Sequence, residues 1–176
     1  GLLSFLKHKV YSGRLITVDL ICGGVPSKLL INKFFESEPY KIQKILSFRT
    51  KESGWKSAGF KYNMKTIDDN GYVHDYSNVK NFITDGFCSE LTNRYSCYNC
   101  QYNGISRKVD FTIGDLWGDN LYESEHYNGI SLVIAHNQQS VDLLDQMSKF
   151  LYVEITDKEN AIKYNHVNGK VIVSAK

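Results

Sequence analysis

Two cysteines separated by two residues, Cys97-Tyr98-Asn99-Cys100, commit the backbone between them to a turn that aims both sulfurs at one place. Such a turn serves a metal ion, an iron–sulfur cluster or a redox disulfide. A third cysteine stands in Val18-Asp19-Leu20-Ile21-Cys22-Gly23-Gly24-Val25-Pro26-Ser27. An apolar run that meets two glycines and a proline reads as the turn at a strand's end. A thiol at a strand end, added to a two-thiol turn, makes a three-point ligand set of Cys22, Cys97 and Cys100. The fourth cysteine, Cys88, follows Phe87 in a helical stretch, where a buried, unliganded thiol is expected.

Composition narrows the setting. The chain has 176 residues, of which 42 % are hydrophobic and 23 % charged, enough for one domain with its own core. A net charge of +2 is too small to argue for nucleic acid. No run approaches the roughly 18 apolar residues of a membrane span. Gly1-Leu2-Leu3-Ser4-Phe5-Leu6 runs into Lys7-His8-Lys9, the reverse of a signal peptide's charge order, so a cytoplasmic protein with reduced thiols is expected. The five histidines form no HxH or HExxH pattern, which argues against a histidine metal site.

Strand and helix patterns interleave along the whole chain. Leu2, Leu3, Phe5 and Leu6 give a short helical stripe, and residues 15–21 give a buried strand. Pro26 suits the first turn of a helix carrying Leu29, Leu30, Phe34 and Phe35 on one face. Residues 42–48 alternate as a strand does. Asp69-Asn70-Gly71 marks the turn of a hairpin between residues 57–65 and 71–75. A helix is expected over 77–91, a cysteine-bearing loop over 94–108 and a strand over 109–113 running into a turn at Gly114. A further strand is expected at 129–135, a helix at 141–150, a strand at 151–155 and a helix capped by Thr156 or Asp157 and reaching about Tyr164. This pattern predicts an α/β fold, a single layered domain spanning residues 1–176 with a mixed sheet flanked by helices and a cysteine-bearing loop.

Five runs taken together, VDLICGGVPS at 18–27, FRTKESGW at 48–55, RYSCYNC at 94–100, DFTIGDLWG at 110–118 and GISLVIAH at 129–136, resemble the C-terminal domain of the coenzyme F420 hydrogenase/dehydrogenase beta-subunit family. They keep the family's order over most of the chain. The resemblance implies an iron–sulfur and flavin electron-transfer oxidoreductase with a 4Fe–4S cluster and FAD. It also implies a redox partner protein or a small-molecule electron carrier. Two departures stand out. Gly23 occupies a position where the family usually has a histidine. A Gly-Thr-Pro-Cys-Gln run that commonly precedes the segment matching Gly1-Leu2-Leu3 is not in the chain. The chain is therefore expected to be a fragment lacking an N-terminal part, inactive by itself, with the fourth ligand supplied by that part or by Cys88.

Cys22, Cys97 and Cys100 are then the expected cluster ligands, since soft thiolates suit iron. The cations Arg94 and Arg107 would stabilise thiolate charge. For the flavin, Arg49 and Lys51 would suit a pyrophosphate or a carboxylate, or serve as solvated charges at a strand end. Asp115 would bond a cofactor hydroxyl or its own turn's amides, and Trp117 would stack on a ring or fill the core. Ser27 would cap its helix or share in a phosphate site. Two other readings stay open: a cysteine-loop interaction module with a structural metal, and an accessory protein of polysaccharide biosynthesis.

Overall fold

The computed structural model describes residues 15–48, 64–76, 82–117, 123–125, 128–156, 158–163 and 165. Among these the chain forms an α/β fold with two three-stranded sheets. The first is mixed. Strand β1 (Val18–Leu20) lies parallel to β5 (Phe111–Asp115), and β5 lies antiparallel to β6 (Ser131–Ala135). The second is a wholly antiparallel meander of β2 (Ile42–Ser47), β3 (Lys65–Asp68) and β4 (Val73–Asp75). Parallel neighbours need a crossover. Here that crossover carries the entire second sheet, together with helices α1 (Lys28–Ser37), α2 (Phe82–Cys88) and α3 (Tyr95–Tyr98). The sequence pattern leads to the mixed sheet but leaves the separate antiparallel sheet unannounced.

The antiparallel sheet owns the larger apolar core. Phe34 of α1, Met64 and Ile83 are almost wholly buried, joined by Ile42 and Tyr76. Phe34 meets the rings of Tyr76 and Phe82 edge-on, 5.5 and 5.7 Å between centroids. The hairpin turn falls where Asp69-Asn70-Gly71 places it. The Asp68 carboxylate accepts the amide N–H groups of Asn70 and Tyr72, both at 2.9 Å, and so fixes the reversal.

The mixed sheet is packed on one face. Register puts Asp19, Thr112 and Ile134 side by side, with Ile21, Gly114 and Leu132 the next row along. Helix α4 (Gln138–Met147) leans on β6, and α5 (Lys158–Lys163) contributes Ala161 to a small cluster with Leu116 and Leu132. Asn137 caps α4, its side-chain oxygen accepting the Ser140 N–H at 2.9 Å.

Four local expectations change. Pro26 stands outside α1, in an isolated antiparallel bridge with Asn93, and Ser27 occupies the N-cap position without a side-chain capping bond. Gly114 and Asp115 belong to β5 rather than to a turn. A Cβ on Gly114 would sit 2.8 Å from the Cβ of Ile21, so the glycine makes room for β1's side chain and not for a ligand. Residues 151–155 form no strand, and Tyr152 and Ile155 are exposed, because alternation without a pairing edge does not make a ladder. The loop 94–108 holds the short helix α3. The expected stripe at Leu2–Leu6, the first part of the hairpin at 57–63 and residues 77–81 lie outside the described residues, as does Asp157.

Candidate cysteine site

Cys22 leaves the end of β1, one residue after Ile21 donates its N–H to the Ile113 carbonyl at 2.8 Å. The chain then turns through Gly23 and Gly24. Gly24 has φ +115°, and a Cβ there would lie 2.2 Å from the Asn93 side-chain nitrogen. Only glycine meets both demands. The Gly24 N–H points back at the Cys22 sulfur, 3.4 Å away.

The second cysteine segment is sewn to the first. Ser27 N–H donates to the Thr92 carbonyl at 2.7 Å and Arg94 N–H to the Val25 carbonyl at 2.8 Å, on either side of the Pro26–Asn93 bridge. The Asn93 side-chain amide donates to the Gly23 carbonyl at 2.9 Å. From Arg94 the backbone coils. Cys97 N–H bonds to the Arg94 carbonyl, Cys100 N–H to the Cys97 carbonyl and Asn103 N–H to the Cys100 carbonyl. Three-residue spacing on a helical turn puts Cys97 and Cys100 on one side. Tyr98 anchors this turn by donating its hydroxyl to the Glu90 carbonyl at 2.6 Å.

The two segments enclose a cavity of about 190 Å³ walled by Cys22, Cys97 and Cys100 with Gly23, Gly24 and Arg107. All three cysteines are free thiols. They ring the cavity instead of meeting at a point: among the described residues no three His, Cys, Asp or Glu side chains gather closely enough to hold one metal ion. A tetrahedral zinc with bonds of about 2.3 Å would need such a gathering. Three thiols around one hollow are the kind of soft donor set that suits iron or zinc.

Arg107 is the fastener. Its side chain is only 8 % exposed. One Nη1 donates to the Leu20 carbonyl at 2.8 Å and pairs with the Asp19 carboxylate at 3.0 Å, while Nε donates to the Gly104 carbonyl at 2.8 Å. One guanidinium thus ties the strand end before Cys22 to the loop after Cys100, and its charge borders the thiols. Of the two arginines expected near the thiols, Arg107 lines the cavity and Arg94 stands exposed at the start of α3, its backbone serving the Val25 contact.

Arg49 and Lys51 lie outside the described residues, as does Trp55. Asp115 and Trp117 are half-buried at the end of β5 and do not line the cysteine cavity; the Trp117 N–H donates to the Asn165 side chain at 3.2 Å. The side chain of Cys88 is likewise outside what is described. Tyr102 and Asn103 also line the cavity and fall in none of the five runs.

Residues 1–161 match the family model for the C terminus of the coenzyme F420 hydrogenase/dehydrogenase beta subunit. The chain belongs to this family. No curated protein and no solved structure matches it. Membership in the F420 hydrogenase/dehydrogenase beta-subunit family makes this an oxidoreductase domain concerned with electron transfer. No helix among the described residues is long and apolar enough to cross a membrane.

Proposed function

We propose that Cys22, Cys97 and Cys100 hold a 4Fe–4S cluster, and that the protein passes electrons between this cluster, an FAD and a redox partner in the cytoplasm. The observation behind this reading is the convergence of thiols from two segments more than seventy residues apart on one small cavity. A bound cluster supplies one-electron storage. The chain's own residues do the rest. The Pro26–Asn93 bridge holds the two segments in register. The Gly24 N–H and the Arg107 guanidinium place positive charge beside sulfur, which draws a cluster's potential upward. Cys88 is the remaining cysteine to test as a fourth donor. Arg49, Lys51, Asp115 and Trp117 remain the residues to test for the flavin.

The test is iron and sulfide uptake by the full chain under anaerobic conditions. A brown protein with about four irons per chain is expected, and Cys97→Ser and Cys22→Ser each bleach it. A wild-type chain that takes up no iron, or a Cys22→Ser variant that stays as brown as wild type, overturns the reading. Zinc uptake without colour would favour the structural-metal alternative instead.

A further inference from the structure

A second cavity, about 440 Å³ and open, lies on the other side of Arg107, with Thr17, Lys108, Asp110, His136 and Asn137 in its wall. The two cavities share Arg107 and are joined by a chain of side-chain hydrogen bonds through the mixed sheet. Thr112, wholly buried at mid-strand in β5, places its hydroxyl 2.5 Å from Asp19 Oδ1 and 2.8 Å from His136 Nε2. A hydroxyl has one proton to give. Asp19, paired with Arg107, is a carboxylate and can only accept. The Thr112 proton therefore goes to Asp19, and His136 must donate its Nε2–H to Thr112. The chain is directional, from the open cavity to the cysteine wall.

We propose that His136 is the proton entry to the cysteine cavity, with Thr112 as relay and Asp19 as receiving base. The inference rests on the redox reading above. One electron from a low-potential one-electron donor leaves the cysteine cavity one charge more negative. His136, protonated on Nδ1 from the open cavity, gives its Nε2 proton to Thr112 Oγ1 as the Thr112 hydroxyl proton moves to Asp19 Oδ1. One N–H and one O–H bond break and two O–H bonds form. His136 is left neutral with its Nδ1 proton, Asp19 neutral, and one electron is matched by one proton. Burial suits the relay, since Thr112 has no solvent to exchange with and Ile134 stands beside it in the register.

Among the described residues, the charged groups near His136 are already engaged or lie at the cavity edge. Asp110 and Lys108 share its cavity and Arg107 closes the back. The Asp110 carboxylate is occupied by the Thr17 hydroxyl and amide at 2.6 and 2.7 Å and by the Asn137 amide at 2.9 Å, so it does not compete for the ring proton. On α4 the first charged residue is Asp142, engaged by Gln138 at 2.9 Å.

Two measurements on the iron-loaded full chain, and one that needs no iron, test this. The midpoint potential should fall with rising pH by about 59 mV per unit, the equivalent of a tenfold change in proton activity for one electron, and lose that slope in Asp19→Asn. Dithionite reduction should slow on the order of a hundredfold in Thr112→Val and His136→Asn and recover in Thr112→Ser. Nitrogen NMR of the metal-free chain should show His136 protonated on Nε2, and that preference should be lost in Thr112→Val. Should Thr112→Val fail to fold, Thr112→Ser and His136→Asn carry the comparison. A brown protein whose potential ignores pH, or whose His136→Asn variant is reduced as fast as wild type, overturns the relay and leaves the cluster standing. A chain without iron overturns the redox reading and the relay with it.

Discussion

The two sheets spend their buried positions differently. The antiparallel sheet buries Phe34, Met64 and Ile83 together with one threonine, Thr66, and its carboxylate Asp68 is turned inward on its own hairpin, bonded to two backbone amides and to His74 at 2.9 Å. In the mixed sheet the deepest side chain is a threonine, and beside it stand a carboxylate and an all-but-buried arginine. Buried polar groups stabilise a fold no better than well-packed apolar ones and are costly when left unpaired. Both sheets bury polar groups, but those of the mixed sheet are linked to one another and stand beside three thiols, which puts the larger apolar core in one half of the molecule and the candidate chemistry in the other.

Phe34→Ala should strike the first half hardest. Removing a ring that is 1 % exposed costs about 3–5 kcal/mol, read by chemical denaturation. Iron bound per folded chain should stay at the wild-type level. A variant that loses iron in proportion to its stability would show that the halves are not separable.

Arg107→Met is the reciprocal case. It removes bonds to Leu20 and Gly104 and leaves Asp19 without its partner, a loss of about 1–3 kcal/mol. Here the effect on function should exceed that on stability: iron uptake should collapse while the chain still folds. Retention of full iron by Arg107→Met would break the claim that this residue fastens the two cysteine segments.

Asn137→Ala probes the border of the mixed sheet. Its side chain caps α4 through the Ser140 N–H and hydroxyl and also donates to Asp110. A loss of about 0.5–2 kcal/mol is expected from the cap, seen as a lowered Tm. Because the cap lies away from the thiols, iron content should not change.

The sequence speaks clearly where chemistry is local. Cys97 and Cys100 share one turn, Cys22 follows a strand into glycines, and Asp69-Asn70-Gly71 announces its own reversal; each needs only neighbours a few residues away. What stays hidden is long-range. Asn93 reaches Gly23 across 70 positions, Arg107 reaches Leu20 across 87 and Thr112 reaches Asp19 across 93. Thr112 in Asp110-Phe111-Thr112-Ile113 looks like any β-branched strand residue until the register of β1 against β5 sets it opposite Asp19. Gly114 shows the reverse error. Its place in a glycine-bearing motif suggests a ligand, and only the packing of Ile21 reveals the reason for it.

The smallest effect at neutral pH is an acid one, and it touches both halves. Asp68 is held below the ordinary carboxylate range mainly by the His74 hydrogen bond, with help from the Tyr72 and Asn70 amides. Asp110 is held low mainly by the Thr17 hydroxyl, then by the Thr17 amide and Asn137. A carboxylate whose folded-state pKa is depressed contributes stability that is complete above its unfolded value of about 3.9 and disappears as pH falls through the folded value. Wild type should therefore lose stability progressively on acidification below about pH 4. Asp68→Asn and Asp110→Asn should each start less stable at neutral pH and each show a shallower acid limb, since one of the two protons is no longer taken up on unfolding. Hydrogen exchange separates the halves. Acid should release protection at β3–β4 in the Asp110→Asn variant and at β1–β5 in the Asp68→Asn variant. If both sheets lose protection together in either variant, acid acts on one cooperative unit, and the division of labour between the sheets is chemical without being thermodynamic.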